Sequence, residues 1–288
     1  MKEYKLINIY LTTCEVYHTT LAWEVQRLSN NFRPEFTDEE VITCYIFGIT
    51  ERKFTVKDVY HFISDYWAEW FPHLPTYKQF NKRITLLAPV FELYARILMM
   101  QLHNIKSPDY LTDSMPVVVA KASRSGVAKA ANDLCDKGYC ASKKMWFYGV
   151  KLHGLCQAYP HKMPKPHYFR VEPASRNDNP VGKEILQSAY NINVYGDKMF
   201  ADAKWQEELA SRNVILYTPV KLKKGQTFLD SADKLWSRAV SSFRQPIESF
   251  FAWFDEKTKI QQASKVRSAN GLIAFVFARF AAVIFLLG

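Results

Sequence analysis

The sequence predicts an α/β protein in which a mixed five-stranded sheet flanked by helices follows an all-helical N-terminal region and precedes C-terminal helices. Three observations lead there. Helix caps and helical apolar spacing fill roughly the first hundred residues; from about Pro108, short apolar runs rich in β-branched and aromatic residues take over, the later ones joined by helical stretches. The chain then closes on long apolar patterns, the last at 271–288. With 288 residues and 48% apolar content, the chain is long enough for one large or two modest domains and too apolar to be disordered. The change of texture divides it into a helical region, 1–107, and a sheet-bearing region with C-terminal helices, 108–288.

In the helical region, Thr37-Asp38-Glu39-Glu40 has the form of a capping box and opens onto Val41, Ile42, Tyr45 and Ile46 at helical spacing. Thr55 suits the cap of the next helix, with Val59, Phe62, Ile63 and Tyr66 on one face. Pro72 and Pro75 break the chain. A helix from about Thr76 follows, carrying Tyr77, Lys78, Lys82 and Arg83 on a partly basic surface, until Pro89 interrupts it and an apolar pattern resumes at Val90. A basic, aromatic-bearing helix after a tight break suits a helix-turn-helix-like DNA module with Lys78, Lys82 and Arg83 turned to DNA. A helical cap on the core is the other reading of the same pattern.

Five apolar segments then read as strands: Tyr110–Asp113 continued by Pro116–Ala120, then Trp146–Ala158, Tyr168–Val171, Ile192–Tyr195 and Val214–Val220. Helices are expected between the third and fourth, at 181–190, and between the fourth and fifth, at 203–211, where Asp202 is a reasonable N-cap. Three early strands can run as a meander. Helix-linked later ones require parallel crossovers, so the sheet is mixed.

A net charge of +10 and a pI of about 9.2 fit a polyanionic partner, nucleic acid or an anionic membrane surface. The five cysteines are odd in number and scattered, and the N-terminus lacks the apolar core of a secretion signal, so a reducing cytoplasm is the expected compartment. Cys135, Cys140, His153 and Cys156 lie near the spacing of zinc sites but outside their tight patterns, and His153 and Cys156 fall on opposite faces of one strand. The apolar run at 271–288 approaches membrane-spanning length. Arg279 at its middle argues instead for a buried helix closing the core. The basic tracts Lys143-Lys144, 161–167 and 221–225 suit contacts to DNA phosphates.

Three carboxylates stand out. Asp197 follows the apolar run Ile192, Val194, Tyr195 and a tight-turning Gly196, which places it at the carboxyl end of a strand, where open α/β sheets bind ligands. Asp113 interrupts an apolar strand, and Glu248 lies in Arg244-Gln-Pro-Ile-Glu248. Taken singly, each has a plainer reading: a turn former, a helix cap, or a solvated residue beside the apolar face of Ile247, Phe250, Phe251 and Phe254. Asp202 rivals Asp197, since it too follows the fourth strand.

The order of elements is that of the ribonuclease H fold. With Asp113 in Leu-Thr-Asp-Ser-Met-Pro, Asp197 in Tyr-Gly-Asp-Lys-Met-Phe and Glu248 in Arg-Gln-Pro-Ile-Glu, the chain resembles the DDE transposases of bacterial insertion sequences over about residues 108–265. The resemblance implies that these three residues are catalytic and hold two Mg²⁺ (or Mn²⁺) ions, Asp113 bridging both, Asp197 holding one and Glu248 the other. It also implies double-stranded DNA as partner (element ends and target), a homodimer assembled on that DNA, a bacterial nucleoid-associated location and no role for a membrane. Within 137–153 the match places Lys151 and His153 near the active site, and Arg244 with Glu248 resembles the family's Arg-x-x-x-Glu signature. Departures accompany it: Ser241 stands for the expected tyrosine and Asp255 for the expected lysine, and Pro246 falls inside the signature, so that either the helix starts there or Arg244 and Glu248 align poorly. These departures motivate a second reading, a non-catalytic transposase-derived DNA-binding protein; a ribonuclease H-like nuclease that hydrolyses without joining is a third.

Overall fold

A computed structural model describes residues 2–25, 34–102, 107–141, 143–222 and 225–287. Two lysines of the basic tract at 221–225, Lys223 and Lys224, lie outside the described residues. The chain forms two compact units: Met1–Gln101, Ala128–Asp133 and Phe254–Gly288 make one, and Leu102–Val127 with Leu134–Trp253 the other. It therefore crosses between units more often than one boundary at 107/108 allows, and its C-terminal segment counts with the N-terminal helices.

In the helical unit, α1 (Lys2–Thr19), α2 (Asp38–Thr50), α3 (Val56–Tyr66), α4 (Tyr77–Leu86), α5 (Ala88–Gln101) and α9 (Ala269–Leu287) surround one core. Thr37, Thr55 and Thr76 each cap a helix through a reciprocal capping box, so three helix starts are written locally in the sequence. Pro89 lies in the first turn of α5, where a missing N–H costs no hydrogen bond. Residues 41–50 of α2 are buried on every side, as a helix apolar all round must be.

Helix α9 is long and apolar enough to cross a membrane by length and composition, and 67% of its apolar window is buried inside the protein. It packs on α2 and α5. Arg279 is fully satisfied there: its guanidinium donates to the carbonyls of Thr258 at 2.9 Å, Phe275 at 3.1 Å and Phe54 at 2.6 Å, and lies 3.4 Å from the centroid of the Phe275 ring. The Thr258 carbonyl lies at the end of α8 and that of Phe54 in a loop, so one buried cation on α9 ties both segments to the helix.

The second unit holds a six-stranded sheet of β1 (Asp109–Lys121), β2 (Asp136–Cys140), β3 (Met145–Gln157), β4 (Lys165–Pro173), β5 (Ile192–Tyr195) and β6 (Val214–Tyr217). One short strand, β2, is additional to the five expected. It pairs with the first part of β3, and β4 pairs with the remainder along the same edge; across the sheet follow β3, β1, β5 and β6. Pairings of β1, β2 and β4 with β3 are antiparallel, while β1–β5 and β5–β6 are parallel. The parallel joins need crossovers, supplied by α6 (Asp178–Ile185) and α7 (Ala203–Ala210), the latter capped by Asp202 as expected. Helix α6 starts and ends earlier than the 181–190 expected, because Asp178 and Pro180 fill its first turn. This order is compatible with a ribonuclease H-like fold.

Strand periodicity divides the sheet into two unlike faces. Leu155, Val194 and Leu216 point to the side covered by α6 and α7, where they join Leu186, Phe200, Trp205 and Leu209. Phe169 and Tyr195 point to the other, where Phe250, Phe251 and Phe243 of α8 (Ser231–Thr258) meet them. Helix α8 runs unbroken through Pro246, so neither the helix start nor the misalignment considered for that proline occurs. The carbonyl that Pro246 leaves without an N–H partner is that of Ser242, and both residues line a cavity of about 620 Å³ with Tyr159 and His161.

Candidate active site

Asp113 sits in β1 on the α8 side of the sheet, opposite Gly154 of β3. Glycine at 154 leaves room for Phe169, whose ring a Cβ would meet at 2.4 Å, and so keeps that face filled by aromatic carbon right up to the carboxylate. Arg244 reaches over from α8: its Nη1 donates to Asp113 Oδ2 at 2.7 Å and its Nη2 to Glu248, one turn further along the helix. Two of the three expected carboxylates therefore share one guanidinium. Asp113 also accepts from the Ser114 N–H at 2.8 Å. Burial nonetheless pushes the Asp113 pKa up to about 6; Arg244 and that N–H oppose the rise, and the nearby Glu248 charge adds to it. Glu248 itself is 52% exposed.

Asp197 follows β5, the parallel neighbour of β1, whose register pairs Leu111 with Tyr195. Two residues beyond each partner come Asp113, still within β1, and Asp197, just past the end of β5. A Cβ at Gly196 would lie 3.1 Å from Thr112 Cγ2 and 3.0 Å from the Phe200 ring, which is why the chain turns here on glycine. The Asp197 carboxylate accepts from the Lys198 N–H at 2.6 Å and caps a short 3₁₀ turn. Among the described residues, no three His, Cys, Asp or Glu side chains are gathered closely enough to hold a metal ion. Asp113 and Glu248 are thus joined through Arg244, and Asp197 is engaged with its own backbone.

Lys151 and His153 lie elsewhere. They do share a face, as their spacing requires, but their partners across β1 are Pro116 and Ser114, one step out of phase with Asp113. That parity turns them to the α6 side, away from the carboxylates they were expected to attend. Lys151 Nζ donates to Asp178 Oδ1 at 2.9 Å and to the Arg176 carbonyl at 3.0 Å. Arg170 and Arg176 bind Glu172 and Glu184 beside them, with Arg176–Glu172 at 2.8 Å and Arg170–Glu184 at 2.7 Å. His153 is buried against this network, its Nε2 3.9 Å from Asp178 and without a hydrogen-bond partner among the described residues. Burial drives its pKa down to about 4, so it is neutral at pH 7.

Asp178, which also accepts from Ser114 Oγ at 3.2 Å, is the polar residue that sequence reasoning missed. Its signal was the Asn177-Asp178-Asn-Pro helix start, obscured because α6 was placed three residues late. On α4, Lys78 and Lys82 are exposed, whereas Arg83 is turned inward: its Nε binds Asp38 at 2.7 Å, with a second contact from Nη2, and Asp38 is buried. Arg83 therefore clamps α4 to α2 and presents no free fork to DNA.

The donor chemistry at Asp113, Asp197 and Glu248 is that of a hard divalent cation: carboxylate oxygens, one of them half-buried with its charge incompletely offset. A search among curated proteins returned no match. The family model for the Transposase DDE domain matches residues 106–285, which takes in all three carboxylates and the whole of the sheet that carries them. The chain belongs to the DDE-domain transposases, proteins that act in DNA transposition.

Proposed function

We propose that this transposase binds the ends of its own mobile element and cuts and joins DNA strands using Asp113, Asp197 and Glu248. The observation that carries this reading is the shared edge: Asp113 and Asp197 each come two residues after the paired Leu111 and Tyr195 of adjacent parallel strands, and a helix brings a glutamate within one guanidinium of the first. These carboxylates would hold two Mg²⁺ or Mn²⁺ ions, which supply positive charge to the attacking and leaving oxygens of a phosphodiester. Arg244 pairs with both Asp113 and Glu248 in the protein alone, offsetting one of their two negative charges, and its planar donor fork suits a backbone phosphate equally well. The basic surface, including Lys78 and Lys82, holds DNA without reading its sequence, and two ends held together call for a homodimer on DNA. Work on DNA in a bacterial cell places the protein in the cytoplasm at the nucleoid.

A second reading draws on a specific observation. Arg244 already bridges two of the carboxylates, which suits a transposase-derived DNA-binding protein that no longer cuts. A cleavage assay separates the two. Wild-type protein is incubated with labelled element-end DNA and Mg²⁺ or Mn²⁺; nicked and joined products support the transposase reading, nicks without joining support a hydrolase, and binding without nicks supports the binder.

A further inference from the structure

Strand β2 and the start of β3 form a hairpin whose two faces differ. Inward, Gly138, Cys140 and Phe147 pack with Ala174; a Cβ on Gly138 would lie 2.2 Å from the Ala174 carbonyl oxygen, so the ribbon is pressed against the sheet on this side. Outward, Lys137, Tyr139 and Trp146 share the opposite face, Tyr139 and Trp146 being direct cross-strand partners with ring centroids 5.3 Å apart. Both rings are open to solvent, Trp146 by 52% and Tyr139 by 46%. Lys137 Nζ stands 5.1 Å over the Trp146 ring, and the turn carries Lys143 and Lys144. The one acid of the hairpin, Asp136, has its carboxylate on the Lys137 N–H at 2.7 Å. The ring pair and the lysine over it each contribute only modestly to folding, while both rings stay open to solvent.

We propose that this hairpin is a DNA-gripping ribbon, separate from the carboxylate site, on which Trp146 and Tyr139 stack an unpaired base while Lys137, Lys143 and Lys144 bind the flanking phosphates. The inference rests on the DNA-binding part of the proposed function. Charge decides the occupant: a row of cations beside aromatic faces complements a polyanion with π-faced bases, and repels a second copy of a chain whose net charge is +10. Its position is informative too. Trp146 lies eight residues along β3 from Gly154, which faces Asp113 on β1. That is about 27 Å of strand, or about eight nucleotide steps. The ribbon therefore holds DNA several nucleotides from the bond that the carboxylates address.

Fluorescence-anisotropy titrations of full-length wild type, Trp146→Ala, Trp146→Phe and the double variant Lys137→Gln/Lys144→Gln test this, using a single-stranded oligonucleotide, the intact duplex and a duplex with a central mismatch bubble. Trp146→Ala is expected to lose about tenfold or more in affinity for the single strand and the bubble and much less for the duplex, with Trp146→Phe restoring most of it. The lysine variant should lower the salt slope of binding by about two on every probe. Equal affinity of Trp146→Ala and wild type for the bubble overturns the ribbon while leaving the transposase reading intact. Loss of self-association in sedimentation, in place of DNA affinity, overturns it in favour of a contact between copies. Failure of wild type to bind any of the three probes removes the DNA-binding reading itself.

Discussion

Arg244 and Asp113, 131 positions apart in the sequence, meet at 2.7 Å through a guanidinium Nη1 and a carboxylate Oδ2. The contact joins β1 to α8, and the same arginine holds Glu248 one turn further along that helix. The pair does not make Asp113 a strong acid. Burial outweighs the arginine, and the carboxyl is set near pH 6, above its ordinary value. A carboxylate kept ionised at neutral pH at some cost is one that another cation can stabilise.

The cost has a sign. A carboxyl whose folded pKa is raised contributes stability that is complete below its unfolded pKa, near 4, and is lost as pH rises through about 6. Asp113→Asn should therefore stabilise the protein at pH 7 by about 1–3 kcal/mol and leave it unchanged at pH 4. Urea denaturation at the two pH values reads this directly. A destabilised variant at pH 7 would mean that the ion pair with Arg244 outweighs the burial.

His153 works in the opposite window. Its folded pKa is depressed to about 4, so the stability it contributes is complete above its unfolded value near 6.5 and is lost as pH falls from there. His153→Gln should flatten the fall in melting temperature between pH 6.5 and 4.5 by the equivalent of about 1–3 kcal/mol. Thermal melts of the two proteins across that range make the comparison.

Arg83 and its neighbours on α4 should part company. Arg83→Ala takes the paired cation from the buried Asp38, which keeps the Tyr17 hydroxyl, and should cost about 3 kcal/mol of stability. Lys78→Ala and Lys82→Ala, both in water, should change stability by less than about 0.5 kcal/mol and each reduce the salt slope of DNA binding by about one. Chemical denaturation together with a salt titration of binding distinguishes the two roles.

Arg279→Met removes a buried cation but leaves the carbonyls of Thr258 and Phe54 without the guanidinium donor. A loss of about 3 kcal/mol or more is expected, measured by denaturation, although the substitution makes α9 more apolar.

Much of this architecture was legible because it is written locally. Thr37, Thr55 and Asp202 announce their helices by side-chain oxygens placed before apolar periodicity, and β3, β5 and β6 are short runs of β-branched and aromatic residues. Strand β2 was not legible: its inward positions are Gly138 and Cys140, small because the Ala174 backbone lies against them, and a strand with small inward residues looks like loop. Asp113, Asp197 and Glu248 were singled out by motif and by strand-end logic. The faces of Lys151 and His153 could be related to one another from their spacing but not to Asp113, since that depends on the register of β1 against β3, a pairing across about 40 residues that no local signal fixes. Arg83 looked like a DNA contact because its partner, Asp38, lies 45 residues away and reads as part of a cap.

The most direct test of the carboxylate site is calorimetric titration of Mn²⁺ into the protein bound to element-end DNA, for wild type and for Asp113→Asn, Asp197→Asn and Glu248→Gln. Two ions bound by wild type, with Asp113→Asn losing both and each of the others losing one, is the predicted result. Identical titrations for wild type and all three variants, or no Mn²⁺ bound by wild type, would contradict it.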